Sequence, residues 1–295
     1  VSTTKGTITN VTTPPSTGFA SYTANLGEVE NKGWEAYLNW RVWNEKASMS
    51  YVTLYVSASG NENTLKKVSN SLKSMNDVTD KDYDEKSENT SVPVRYEEGA
   101  SMSTIWVVKS LGIDPETGKE VFRKKDGSLT YDWDSRDYVD GGDTRPKVSG
   151  NFGINAEWHG IGLNAGFTWR LGGQIYNTTL LNKVENADVH KNVDRRVFTD
   201  RWNTPGQVAR FKAISDDSST QPTSRFVEDY NLLTFSSLNV YYDFRECGFV
   251  KNSFLQRMKA TFYMNDIATI SSVKTERGTS YPFARTFSFS LQVTF

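Results

Sequence analysis

Six aspartates, Asp126, Asp132, Asp134, Asp137, Asp140 and Asp143, crowd one short stretch. Oxygen donors at such spacing suit Ca²⁺. The stretch lacks the spacing and the closing Glu of an EF-hand loop. It therefore reads as a solvated acidic loop, with Ca²⁺ binding left open. The glycine pairs 141–142 and 172–173 do not open a strand–loop–helix unit and read as turns at strand ends rather than phosphate cradles. Cys247 is the single cysteine and has no histidine near it in sequence, which suits a free structural thiol better than a nucleophile. With two histidines, His159 and His190, a His-rich metal or catalytic site has too few ligands to form. No pair of carboxylates stands out as the acid and base of glycoside hydrolysis. The expectation is a chain that is not an enzyme and holds no metal and no cofactor.

Composition narrows the class. The chain has 295 residues and a formal net charge of −1, so no basic field points to nucleic acid. No apolar run approaches the length of a membrane helix. Aromatic residues make up 13%, which suits the girdles of a transmembrane β-barrel, where only alternate residues face lipid. The chain begins VSTTKG, without Met or signal peptide. The expectation is a removed leader or a piece of something longer.

The elements that would position any site are strands. In RTFSFSLQVTF, at the end of the chain, Phe287, Phe289, Leu291, Val293 and Phe295 alternate with small polar residues. That period of two marks a strand with one apolar and one wet face, and this aromatic-ended run reads as a C-terminal barrel-assembly signal. The same alternation recurs. Trp34, Ala36, Leu38, Trp40 and Val42 share a face, as do Val52, Leu54, Val56 and Ala58. Phe152, Ile154, Ala156 and Trp158 form a third such face, and Ile161, Leu163, Ala165, Phe167, Trp169 and Leu171 a fourth. Leu238, Val240, Tyr242 and Phe244, then Met258, Ala260, Phe262 and Met264, complete the set. Residues 1–32, rich in Thr, Ser, Gly and Pro, read as loop with at most a short strand near Tyr22–Leu26. Leu65, Val68, Leu72 and Met75 have helix-like spacing. Residues 103–134 read as two or three short strands with turns at Asp114–Gly118 and Lys125–Gly127. Helices are expected over Gln174–Asn186 and around Asp194–Trp202.

About seven long strands result, and their connections alternate in length. Short breaks fall at NEKA, at His159-Gly160 and at 245–253. Long loops fall at about 60–146, 172–230 and 265–284. Short turns on one side and long loops on the other are the habit of outer-membrane barrels. The apolar faces carry no charge at their centres, while Glu35, Arg41, Lys147, Glu157, Arg170, Asp243, Arg257 and Lys259 lie on the polar faces, as a wet lumen allows. Seven strands cannot close such a barrel, and an open edge in lipid would leave backbone groups unpaired. More barrel must come from elsewhere. Two other classes share part of the pattern: a non-transporting outer-membrane anchor or surface protein, and a soluble β-rich carbohydrate-binding module. Loop aromatics Trp106, Tyr131, Trp133, Tyr138, Tyr176 and Trp202 can stack on a ligand or pack the loops themselves. Tyr176, Asn177 and Trp202 are the candidates for ligand contact, because the 172–186 segment leaves a strand at the barrel mouth.

Several segments, in order, resemble a known family: LGEVENKGWE (26–35), EGASMSTIWVVKSLGIDPETGKEVF (98–122), WRLGGQIYNTTLLNKVENA (169–187), DRRVFTDRW (194–202), TSRFVEDYNLLTFSSLNVYYDF (223–244) and SSVKTERGTSYPFARTFSFSLQVTF (271–295). They are similar to the C-terminal part of SusC/RagA-type TonB-dependent outer-membrane transporters. The resemblance implies an all-β chain, residues 1–295 forming the C-terminal segment of a 22-stranded antiparallel transmembrane barrel with long extracellular loops. It implies import of a large nutrient, oligosaccharide or peptide. The implied partners are the N-terminal barrel strands and plug, a SusD-like surface lipoprotein, and the TonB complex acting through the plug. A dimer of transporter–lipoprotein pairs is implied as well. The plug, the TonB box and the earlier strands are not in this sequence.

Overall fold

The computed structural model describes residues 2–12, 21–48, 50–86, 88–188, 190, 193–274 and 285–295. The strands, in chain order, are β1 (Ser2–Thr12), β2 (Ser21–Glu45), β3 (Ser50–Val68), β4 (Thr104–Ile113), β5 (Glu120–Arg123), β6 (Leu129–Thr130), β7 (Tyr138–Asp143), β8 (Val148–Trp158), β9 (Ile161–Tyr176), β10 (Val227–Asp243), β11 (Arg257–Ser271) and β12 (Phe287–Thr294). Eight of them form one sheet in the order β1-β2-β3-β8-β9-β10-β11-β12, and a second sheet has the order β6-β5-β4-β7. The chain divides into two compact units. One comprises residues 33–61, 146–172 and 230–295, and the other 1–32, 62–145 and 173–229.

In the first unit the alternating pattern sets the register. Antiparallel pairing of β3 with β8 places Val52 opposite Ala156, Leu54 opposite Ile154 and Val56 opposite Phe152. Pairing of β8 with β9 continues those rows to Leu163, Ala165 and Phe167. On the other side, Ala260 of β11 faces Leu291 of β12, Phe262 faces Phe289 and Met264 faces Phe287. These apolar rows thus cross from strand to strand, because a slip of one residue would turn each side chain to the other face. Phe152, Phe167 and Phe235 stack in sequence, with centroids 4.9 Å and 4.5 Å apart. The tightest connection is His159-Gly160. Both residues have positive φ, 47° and 83°, the combination that a two-residue hairpin turn matched to strand twist requires.

The second unit has a water-type core. A helix, α1 (Asn70–Glu85), starts at Ser69, whose hydroxyl accepts the Leu72 N–H. Leu72 of α1 is buried with Val29, Leu65 and Val68, and Met75 packs against them. The helical spacing expected for all four of Leu65, Val68, Leu72 and Met75 is therefore corrected: the first two end β3 and the last two begin α1, converging by tertiary packing. On the second sheet, Trp106, Val108, Phe122 and Tyr138 bury one face together with Tyr83. A further core gathers Ile105, Val107, Tyr176, Leu181, Val184 and Phe226.

The N-terminal segment differs most from the sequence expectation. Residues 2–12 and 21–31 pair as antiparallel strands, where loop was expected over 1–32. STTKGTITNVT is polar, but threonine is β-branched and favours strands whatever its polarity. The helix expected over 174–186 begins only after β9 ends, as a short turn at Thr178–Leu180 running into a π-turn at Leu181–Glu185. The helix around Asp194–Trp202 is confined to Arg196–Thr199. The later part of the 265–284 loop, including YPFA, lies outside the described residues.

Candidate functional site

The first unit presents two unlike surfaces. Its apolar face is turned outward: Phe289 is 73% exposed, Trp158 59% and Val56 40%, with Trp34, Leu38, Trp40, Ile161 and Leu171 alongside. A contiguous apolar face of this extent is foreign to a water-facing surface. Through the central positions of its strands it carries no charge.

The opposite face is polar and glycine-floored. Asn151, Asn155, Asn164 and Thr168 project there, and Gly153 pairs with Gly166, Gly162 with Glu157. Tyrosines occupy the space the glycines leave. A Cβ on Gly162 would lie 1.9 Å from the Tyr241 ring, and one on Gly153 would lie 2.4 Å from the Tyr55 Oη. Tyr241 donates to Glu157 Oε2 at 2.6 Å, and the Lys259 ammonium sits 3.7 Å from the centre of the Tyr241 ring. Near the short turns the face becomes ionic. Asp243 accepts from Arg257 Nε at 2.9 Å and Nη2 at 2.6 Å, and from Arg245 Nη2 at 3.1 Å. A cavity of about 450 Å³ opens beside them, lined by Glu157, His159, Gly160, Asp243, Arg245 and Glu246. Such a wall can offer hydrogen bonds and a ring of paired charges to whatever fills the space before it.

The second unit is held by a buried ion network that links its loops. Arg225 Nη2 reaches Glu120 Oε2 at 2.6 Å and Glu185 Oε1 at 2.5 Å, and Arg225 Nη1 donates to the Arg210 carbonyl at 2.8 Å. Glu185 is 1% exposed. Burial works against the Arg225 charge, and the two carboxylates more than offset it, so the guanidinium titrates above its ordinary value. No local spacing announces this network, because its members lie 105 and 40 residues apart. Arg201 is buried with its guanidinium on the carbonyls of Lys212, Ala213 and Asp216, and burial lowers its pKa.

The acidic stretch is occupied with local turns. Asp126 accepts from Ser128, Asp134 from Arg136, and Asp140 from the Gly142 N–H. Asp143 accepts from the Ser103 hydroxyl at 2.6 Å and from the Arg145 N–H. Burial would raise the Asp143 carboxyl, but these donors prevail and hold it below the usual range.

Of the three residues expected to touch ligand, Tyr176 is 8% exposed and lies edge-on to Phe226, with centroids 5.9 Å apart. Asn177 is 3% exposed; it accepts from the Leu180 N–H and donates to Glu228 at 2.8 Å. Both shape the loop from within. Trp202 is half-buried, donates to the Pro115 carbonyl at 2.8 Å, and lays its ring over Gly118, where a Cβ would come within 2.5 Å. The structure brings Tyr176 and Asn177 together as chain neighbours beside Phe226. Of the terminal run, Phe287, Phe289, Leu291 and Phe295 are exposed, and Val293 is half-buried.

An antiparallel sheet with an outward apolar face, a polar tyrosine-lined face, short turns at one end and a folded loop unit defines a segment of barrel wall. No protein-family model matches the sequence, and no curated protein matches it. Solved structures do. The RagAB peptide transporter matches with a TM-score of 0.70 and 17% identity over 92% of this chain and 29% of that one. The RagAB peptide importer in its open-open state matches at 0.73 and 18%, over 99% of this chain and 32% of that one. Its closed-closed state gives 0.71 and 18%, over 92% and 29%. The chain spans about a third of the length of these structures and has the fold of that part of them.

Proposed function

We propose that this chain is part of the wall and the outer loops of an outer-membrane transporter that imports a large nutrient, an oligosaccharide or a peptide. The observation that carries the proposal is the pairing of the two faces: an exposed apolar face continuous in register from strand to strand, backed by a polar face of Tyr, Asn and Gly. Lipid on one side and an aqueous lumen on the other account for both. The likeness in fold to a peptide importer supports the reading. The remaining barrel strands and a plug complete the wall, TonB supplies energy through the plug, and a SusD-like lipoprotein covers the mouth, in a dimer of such pairs. In the loop unit Trp202 offers an accessible ring to ligand, and Tyr176 and Asn177 hold the backbone that presents the mouth. The test is the intact mass of every polypeptide that co-purifies with this chain from detergent-extracted outer membranes, joined to uptake of a labelled peptide or oligosaccharide by the same cells. A plug-bearing polypeptide and a lipoprotein are expected. A lone chain in the soluble fraction overturns the proposal.

A further inference from the structure

On the polar face of the first unit, a cavity of about 470 Å³ is lined by the charged residues Arg41, Glu45, Lys46, Glu157, Arg245 and Arg257. Its cations are held in place. The Asp243 side chain, 5% exposed, accepts from both Arg245 and Arg257, whose own side chains are 45% and 46% exposed. One buried carboxylate thus fixes two guanidiniums at the cavity wall. Arg41 lies over the Tyr51 ring, 5.4 Å from its centroid. Among the described residues, neither Arg41 nor Lys46 makes an ion pair, and Arg245 Nε and Nη1 and Arg257 Nη1 donate to no protein atom. The carboxylates, by contrast, are engaged. Glu45 accepts from the Ala47 N–H at 3.3 Å, and Glu157 from the Tyr241 hydroxyl at 2.6 Å. Even with Asp243 counted, four cations meet three carboxylates, which leaves one positive charge in excess.

We infer that this cavity binds a carboxylate of the imported nutrient, and that the nutrient is an acidic peptide rather than a neutral oligosaccharide. Guanidinium forks with unspent donors match the geometry of a carboxylate. A neutral sugar would instead use an open aromatic face, and the tyrosine rings here already carry cations: Arg41 on Tyr51, and the Lys259 ammonium 3.7 Å from the centre of the Tyr241 ring. Two of the guanidiniums also serve Asp243, so their hold on a further carboxylate is weak. Weak binding suits a ligand that must enter and then leave. The inference rests on the transporter reading and adds to it the class of nutrient and the place on the wall that meets it.

The test uses cells carrying the complete transporter. Arg41→Gln/Lys46→Gln is compared with wild type and with the charge-keeping Arg41→Lys/Lys46→Arg. Arg41 and Lys46 are exposed, and changing them spares the Arg pair on Asp243, whose loss would strand a buried carboxylate. Unchanged heat-modifiable migration shows that each variant still folds. Uptake at low concentration is measured for a labelled peptide carrying Glu, and for the same peptide with Gln in those places and an amidated C-terminus. Wild type is expected to favour the acidic peptide. In the neutralised variant that preference should fall roughly tenfold, while the charge-keeping variant stays near wild type. No preference in wild type, the same preference in all three, or equal loss of both peptides overturns the inference and leaves the transporter reading standing. Uptake of a uronate oligosaccharide but of neither peptide also overturns it. A wild type that imports none of the three overturns the inference and the transporter reading together.

Discussion

Val56→Arg separates a lipid-facing wall from a water-facing one. Val56 is 40% exposed and pairs with Phe152 on the apolar face. It lies six residues beyond Ser50, the start of β3, or about 20 Å along the strand. With a tilt of about 45°, that is about 14 Å of depth, close to the middle of the hydrocarbon. In water, a charge at a site this open changes stability by about 0.5 kcal/mol or less. At the bilayer midplane an arginine costs about 2–4 kcal/mol, a drop of roughly 30- to 900-fold in the folding equilibrium. Asn151 sits in the neighbouring row on the polar face and is exposed, so Asn151→Arg at nearly the same depth should change stability by about 0.5 kcal/mol or less. The assay is urea unfolding of the complete protein in lipid vesicles, followed by tryptophan emission. Equal stability of both variants and wild type would show that the apolar face does not meet lipid.

Arg225→Met strips the partner from two buried carboxylates, and breaking such a pair costs about 3–5 kcal/mol; hydrogen exchange should show lost protection at 104–108 and 223–227, and unchanged protection there refutes the network's role. Gly162→Ala drives a methyl into the Tyr241 ring and should cost about 1–3 kcal/mol. In a Tyr241→Ala background that cost should largely vanish, and strict additivity in the unfolding cycle would disprove the interlock. Asp143 and Asp216 both titrate below the ordinary aspartate value of 3.8 in the folded loop unit, with burial opposed by the hydrogen bonds that each accepts. Their contribution is therefore complete above that value and is lost as pH falls through the lower folded values. Limited proteolysis of the loops should accelerate below about pH 4, while a rate independent of pH between 5 and 2.5 contradicts it.

The strand faces were legible because the surroundings impose them residue by residue. An outward apolar face on one side and polar contacts on the other force a period of two that needs no tertiary knowledge, and Val52 to Ala58 or Phe287 to Phe295 carry it openly. The fold of β1 was hidden for the converse reason: its threonines are strand formers without an apolar stripe. The far end of β3, GNENTLKKV, breaks the alternation before α1 begins, so Leu65 and Val68 borrowed a helical spacing from Leu72 and Met75. The loop network was illegible because Arg225, Glu120 and Glu185 meet only through tertiary structure. Tyr176 and Asn177 were expected in a helix from Gln174, but β9 runs on to Tyr176, and the direction their side chains take is set by Phe226 and Glu228, far along the chain.

The His159-Gly160 turn has a kinetic meaning as well. Trp158 meets Ile161 across it, and the pairing continues without a register shift to Val148 and Leu171. This hairpin closes on local contacts alone, on the scale of microseconds. Its neighbour must wait, since joining Ser59 to Ser149 spans 90 residues, and each doubling of a loop adds about 0.6 kcal/mol to its closure. The β8–β9 ribbon, like the other pairs joined by short turns, thus closes ahead of the long-range β3–β8 pairing, with its aromatic stack already half built by Phe152 and Phe167.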